Sequence, residues 1–227
     1  MISLRRCAAL VLAVTVLVPP AAAQRRRPAP KRNPPAPAPL QTAAAQVTCP
    51  ELLGTGVRTG ASYCFVLAGN DPAQGVIVTV PPHTGNATLS FNLHNRHTYS
   101  EEEMRAGRSY ATYNAVIGVL TPKGDLLGRG AVQTEFRSGQ DLFERISGGA
   151  GPGGVKAVAP LGNERVHVEI PQDVDEVSLL GELLEAKTAI GRETASPGRP
   201  VAIVSNLQLE YRPAKPAAKP ATKRQKG

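Results

Sequence analysis

Apolar and polar residues alternate along most of the middle of this chain. In "NATLSFNLHN", Ala87, Leu89, Phe91 and Leu93 fall on one side, with Thr88, Ser90, Asn92 and His94 on the other. "SYATYNAVIGVL" sets Ala111, Tyr113, Ala115, Ile117 and Val119 together, and "ERVHVEI" sets Val166, Val168 and Ile170 against Arg165, His167 and Glu169. In "PVAIVSNLQLEY", Val201, Ile203, Ser205, Leu207, Leu209 and Tyr211 share a side. Successive strand residues point to opposite faces, so this period marks strands with one buried face. "CFVLAG", "GVIVTV", "GRGAVQTEF", "GGVKAVAP" and "EVSLLGELLEAK" supply further strands. The leucines of 177–187 also suit a helical face, but Gly181 in mid-segment favours a strand.

Turn signals separate the runs: "GNDP", "PPHTGN", "TPKGD", "PLGN" and "SPGRP". "VLTPKGDLLG" reads as a hairpin. "SEEEMRAG" predicts a short helix, with Ser100 as cap, Glu103 three residues on and Gly107 as stop. "SGQDLFERISGG" predicts a second, capped by Ser138 and stopped at Gly148, with Leu142, Phe143 and Ile146 at helical spacing. Many one-sided strands with short turns and few helices predict an all-β fold. The expected architecture is an antiparallel β-sandwich, jelly-roll or Ig-like, with one or two short helical turns.

The ends differ in kind. Arg5 and Arg6 precede an apolar run from Cys7 to Val18, then Pro19-Pro20 and a small-residue site at Ala21–Ala23. This is the pattern of a secretory signal peptide over residues 1–23, and the run is too short to span a bilayer. No transmembrane segment is expected after cleavage, and the protein is expected to be exported, periplasmic or extracellular, with a bacterial cleavage region. Residues 24–46 are rich in proline and alanine and read as a disordered linker, as does the tail 213–227. Between them, residues 47–212 form one domain of ordinary size.

Charge follows the same division. Residues 24–46 hold Arg25, Arg26, Arg27, Lys31 and Arg32 and no acid; residues 213–227 hold Lys215, Lys219, Lys223, Arg224 and Lys226 and no acid. The body holds 14 basic and 18 acidic residues, so the chain's net charge of +8 belongs to its ends. Basic arms attract polyanions without sequence specificity. In an exported protein these are anionic envelope polymers, with a protein partner as the other option. The compartment and the lack of basic–aromatic interleaving argue against nucleic acid. Removing the signal leaves Cys49 and Cys64, an even pair that reads as a disulfide. It is worth about 3 kcal/mol in the chain-entropy model.

The candidate chemistry is sparse. "FNLHNRHTYSEEE" carries His94 and His97 in an H-x-x-H spacing, but residues three apart on a strand face opposite ways, and Arg96 lies between them. No metal site or cofactor is expected. His94, Asn95, Arg96, His97 and Tyr99 are instead a candidate recognition surface: His94 at a strand end facing outward, the others in a polar connector before the helix. Tyr99 and Tyr110 are the candidate exposed aromatics. "GGAGPGGVK" lacks the lysine–hydroxyl ending of a phosphate loop. Asp173, Asp175 and Glu176 are few for calcium and read as a solvated turn. There is no nucleophile elbow and no free cysteine once the disulfide forms, so no catalytic residue is assigned.

These features point to an exported, non-enzymatic binding or assembly module. A hydrolase acting on glycans or peptides is the alternative, with its site in loops 94–110 and 147–156 and His97 beside an acid or serine. A structural subunit of an envelope assembly is the other.

Overall fold

A computed structural model describes residues 37–147, 157–189, 191–194 and 202–214. The expected signal peptide, most of the basic linker, the glycine run 148–156 and nearly all of the C-terminal tail lie outside the described residues.

The strands, in chain order, are β1 (Gln41–Ala44), β2 (Gln46–Thr48), β3 (Leu52–Gly56), β4 (Ser62–Val66), β5 (Val76–Thr79) and β6 (Ala87–Tyr99). They continue with β7 (Ala111–Leu120), β8 (Leu126–Phe136), β9 (Ile146–Ser147), β10 (Ala157–Ile170), β11 (Glu176–Thr188), β12 (Gly191–Thr194) and β13 (Ala202–Tyr211). They form two antiparallel sheets, as the alternation predicts. One runs β2-β5-β11-β7-β8, with β12 on the free side of β11; the other runs β1-β13-β4-β3-β9-β10-β6. Between them lies the main core, which takes Leu89, Phe91 and Leu93 from β6, Ala115, Ile117 and Val119 from β7, and Leu179 and Leu184 from β11. Each buried leucine, isoleucine, valine or phenylalanine among them contributes about 1.5–3 kcal/mol by leaving water.

The disulfide is present. Cys49 follows β2 of one sheet and Cys64 lies on β4 of the other, so the bond staples the two layers, with Cα atoms 5.4 Å apart. Segment 177–187 is strand. The hairpin after Leu120 turns on Gly124, whose φ of +88° suits glycine. The first helix is α1 (Glu101–Arg105). Ser100 Oγ accepts from the Glu103 N–H at 3.3 Å. Glu103 does not return the bond; its carboxylate pairs with Arg108.

Four expectations are corrected. The second helical turn stops short of its expected length. Ser138 caps only a single 3-10 turn, Gly139–Asp141, after which the chain runs extended and Leu142 and Phe143 pack on separate clusters. Part of the segment read as a disordered linker is strand, because β1 pairs with β13 from Gln41↔Tyr211 to Ala44↔Gln208. "PLGN" is a bulge within β10, not a turn: pairing with β6 shifts between Leu161 and Glu164, and Gly162 has φ +62°. The alternation of β13 also breaks. Its register shifts between Ser205 and Gln208, where Asn206 has φ +52°. Ala202 and Val204 face the main core before the bulge, and Leu209 faces it after.

The bulges have a consequence for the sheet. β13 pairs with β4 on one side and β6 on the other. The path β13-β4-β3-β9-β10-β6 therefore returns to its start. At one end, the sheet curls into a small barrel that turns what would be an outer face into a second interior, containing Tyr63, Phe65, Ile146 and Ile203. Strand β6 runs between this interior and the main core.

Candidate functional site

The stretch His94–Tyr99 is not a strand end and connector. It is the second half of β6, and its side chains alternate between the two interiors. His94 and Arg96 share a side with Ile203 and Phe65; Asn95, His97 and Tyr99 point toward the sandwich. His94 and Asn95 are 0% exposed, His97 4% and Tyr99 6%. The expected recognition surface is corrected accordingly: a polar sequence here supplies buried polar side chains, because strands lie against both faces of β6. Tyr110 is exposed, as expected.

His94 ties the two bulges together. Its Nδ1 lies 2.5 Å from the carbonyl oxygen of Gly162, in the β10 bulge. A carbonyl only accepts, so Nδ1 carries the hydrogen and Nε2 receives the Ser205 hydroxyl at 3.0 Å. Ser205 begins the β13 bulge. Tyr63 and Phe143 pack around the ring. Burial lowers the His94 pKa, against the pull of the Gly162 carbonyl and Glu144. A serine hydroxyl on a neutral imidazole is a nucleophile–base pair in outline. Both residues are nearly solvent-free, and the second ring nitrogen is spent on backbone, so the pair serves architecture.

Glu144 closes the small barrel. Its carboxylate accepts from Thr59 Oγ1 at 2.6 Å, from Tyr63 Oη, and from the backbone N–H groups of Arg58 and Thr59. Burial alone would raise its pKa, but these donors together outweigh burial and hold it below the ordinary value. Burial and the adjacent carboxylate raise the Tyr63 phenol.

His97 sits at the other interior. It stacks on Phe136, with ring centroids 3.8 Å apart, and its Nδ1 is 2.5 Å from Tyr113 Oη. The hydrolase alternative needs an acid or serine at this position; a tyrosine and a phenylalanine occupy it. Burial lowers the His97 pKa to about 4, so the ring is neutral near pH 7. Beside it, Asn95 Oδ1 accepts from Thr134 Oγ1 at 2.8 Å.

Two surface features were not assigned from sequence. The first is the corner where the chain enters and leaves the domain. β1 lies along the end of β13, and Arg212 Nη1 donates to the Ala38 carbonyl at 3.1 Å. The described chain enters and leaves side by side, immediately inside the two basic segments. The second is an open groove of about 550 Å³ at the same end, walled by Pro82, His83, Asp173, Asp175 and Glu176. Proline clustering and the acids were visible in the sequence; their meeting with His83 depends on tertiary pairing. Among the described residues, no group of three His, Cys, Asp or Glu side chains is placed to hold a metal ion. No helix among them is long and apolar enough to cross a membrane.

No family model matches the chain. No curated protein matches it either. Among solved structures, it is similar to the VP2 subviral particle of infectious bursal disease virus, at 11% identity and a TM-score of 0.24 over 78% of this chain and 34% of that one. It is also similar to the catalytic domain of a GH87 α-1,3-glucanase in complex with tetrasaccharides, at 16% identity and 0.25 over 81% and 30%. The chain thus spans about a third of the length of either, and at this level of likeness neither bears on its site.

Proposed function

We propose that this protein is an exported, non-enzymatic binding or assembly module whose two basic arms hold anionic polymers of the bacterial envelope or extracellular space. One observation carries this reading: β1–β13 pairing and the Arg212–Ala38 bond root both arms at one corner. Five cationic residues on each side then act on one polymer from one origin, as linked weak sites do. The acidic balance of the body leaves polyanion attraction to the arms. The inter-sheet disulfide is in keeping with an oxidising compartment. Burial of the Ser205–His94 pair favours binding over hydrolysis.

The test is fractionation of cells making the full chain or a form with Lys and Arg of both arms changed to Gln. Salt-sensitive association with the envelope, lost in the neutral-arm form, is the expected result. Equal association of the two forms would remove the arms from the function.

A further inference from the structure

We infer that the groove beside the arm roots is the docking site of this chain's own C-terminal arm, residues 215–227. The arm's point of departure is built into the groove wall. His83 bridges to Pro213, the Thr84 N–H donates to the Arg212 carbonyl at 2.8 Å, and the Ala214 N–H donates to the Pro82 carbonyl at 3.0 Å. Pro82 and His83 line the groove. The chain therefore leaves the domain against the site it occupies. At about 3.3 Å per extended residue, Lys215 and Lys219 lie within about 16 Å of Ala214.

The chemistry of wall and arm is complementary. Asp173, Asp175 and Glu176 line the groove, and among the described residues none of the three is in an ion pair. The arm brings Lys215, Lys219, Lys223, Arg224 and Lys226 and no acid. His83 is a second, independent indication. It is 6% exposed, its Nδ1 lies 3.0 Å from the Pro81 carbonyl, and its Nε2 has no hydrogen-bond partner. Because Nδ1 donates to the Pro81 carbonyl, Nε2 is the ring position left without a partner in the groove wall. Val80, Pro81, Pro122 and Val174 give the groove an apolar side. That side suits the prolines and alanines of "PAKPAAKPATK".

Each exposed ion pair is weak, so docking depends on the tether, which holds the arm at an effective concentration in the millimolar range. The docked arm is displaced by salt or by a competing polyanion. The groove is thus a brake on the arm, although its occupancy does not depend on the polyanion reading.

The experiment uses isotope-labelled full-length protein without any polymer, so its outcome is separate from that reading. Three forms are compared: the natural chain, a neutral-arm form (Lys215, Lys219, Lys223, Arg224 and Lys226→Gln) and a neutral-groove form (Asp173→Asn, Asp175→Asn, Glu176→Gln). At an ionic strength of about 0.01 M, the amide signals of Val80, His83 and Val174 in the natural chain are expected to differ from those in the neutral-arm form. Raising ionic strength to about 1 M, where the Debye length is about 3 Å, is expected to merge them. The arm's own signals shift in the neutral-groove form. Groove signals identical in the natural and neutral-arm forms would overturn the inference. So would shifts that grow with protein concentration, which would place another copy's arm in the groove.

Discussion

Arg212 donates from Nη1 to the carbonyl oxygen of Ala38 at 3.1 Å, joining positions 174 residues apart at the corner where the described chain enters and leaves the domain. The bond is exposed, so its weight is local. Arg212→Ala is expected to lower hydrogen-exchange protection at Gln41–Ala44 while changing global stability by less than about 1 kcal/mol. Unchanged protection would mean that strand pairing alone holds this root.

Glu144 answers four donors at the barrel mouth. Glu144→Ala leaves Tyr63 and Thr59 hydroxyls and two backbone N–H groups without their acceptor. The expected cost is about 3–5 kcal/mol, read from the urea midpoint. Glu144→Gln keeps the shape and is expected to cost less. Equal losses would show that the carboxylate charge, not the shape of the side chain, holds the segment.

His97 makes stability depend on pH. Its folded pKa is about 4, held down by burial, against 6.5 ordinarily. Between these values the unfolded chain binds the extra proton. Its stabilising contribution is complete above pH 6.5 and is lost as pH falls to about 4. The loss is on the order of 3 kcal/mol, and His94 shifts in the same direction. Urea midpoints from pH 7 to 4, with imidazole signals followed by NMR, check this. A His97 that titrates near 6.5 in the folded protein contradicts it.

β8 approaches β10 closely at Gly130. A Cβ there would lie 2.8 Å from Val166 Cγ2 and 3.1 Å from Cγ1. Gly130→Ala is expected to destabilise by about 1–3 kcal/mol, and adding Val166→Ala is expected to recover part of that loss. Strictly additive effects would argue against the contact.

Much of the architecture is legible in the residues. Leu89, Phe91 and Leu93 report a one-sided strand because one face of β6 meets an apolar core. Cys49 and Cys64 report a staple because no other cysteine remains after Cys7. The rest depends on pairing that no local window contains. "HNRHTY" reads as a polar connector because polar residues are usually exposed. Here His94 is buried by the curl of its own sheet, which needs β9 between β3 and β10. The helical spacing of Leu142, Phe143 and Ile146 has a different cause: these residues serve separate clusters on an extended segment, so their order carries no helical face. One shift in β13, at Asn206, is enough to send Ile203 and Leu209, read on one side, into different interiors. The groove was half visible, in Asp173, Asp175 and Glu176. His83 joins them through the pairing of β5 with β11, where Thr79 lies opposite Glu176 and the Val80 N–H donates to the Asp175 carbonyl.

The most direct measurement is the salt dependence of binding to a fluorescent polyphosphate, for the full chain and for forms with one or both arms changed from Lys and Arg to Gln. For polyanions, the slope of log K against log salt scales with the number of cations engaged. Two arms of five cations working from one corner give a steep slope, about half as steep with either arm neutralised and near zero with both. A slope unchanged when both arms are neutral would place binding on the body and contradict the proposed function.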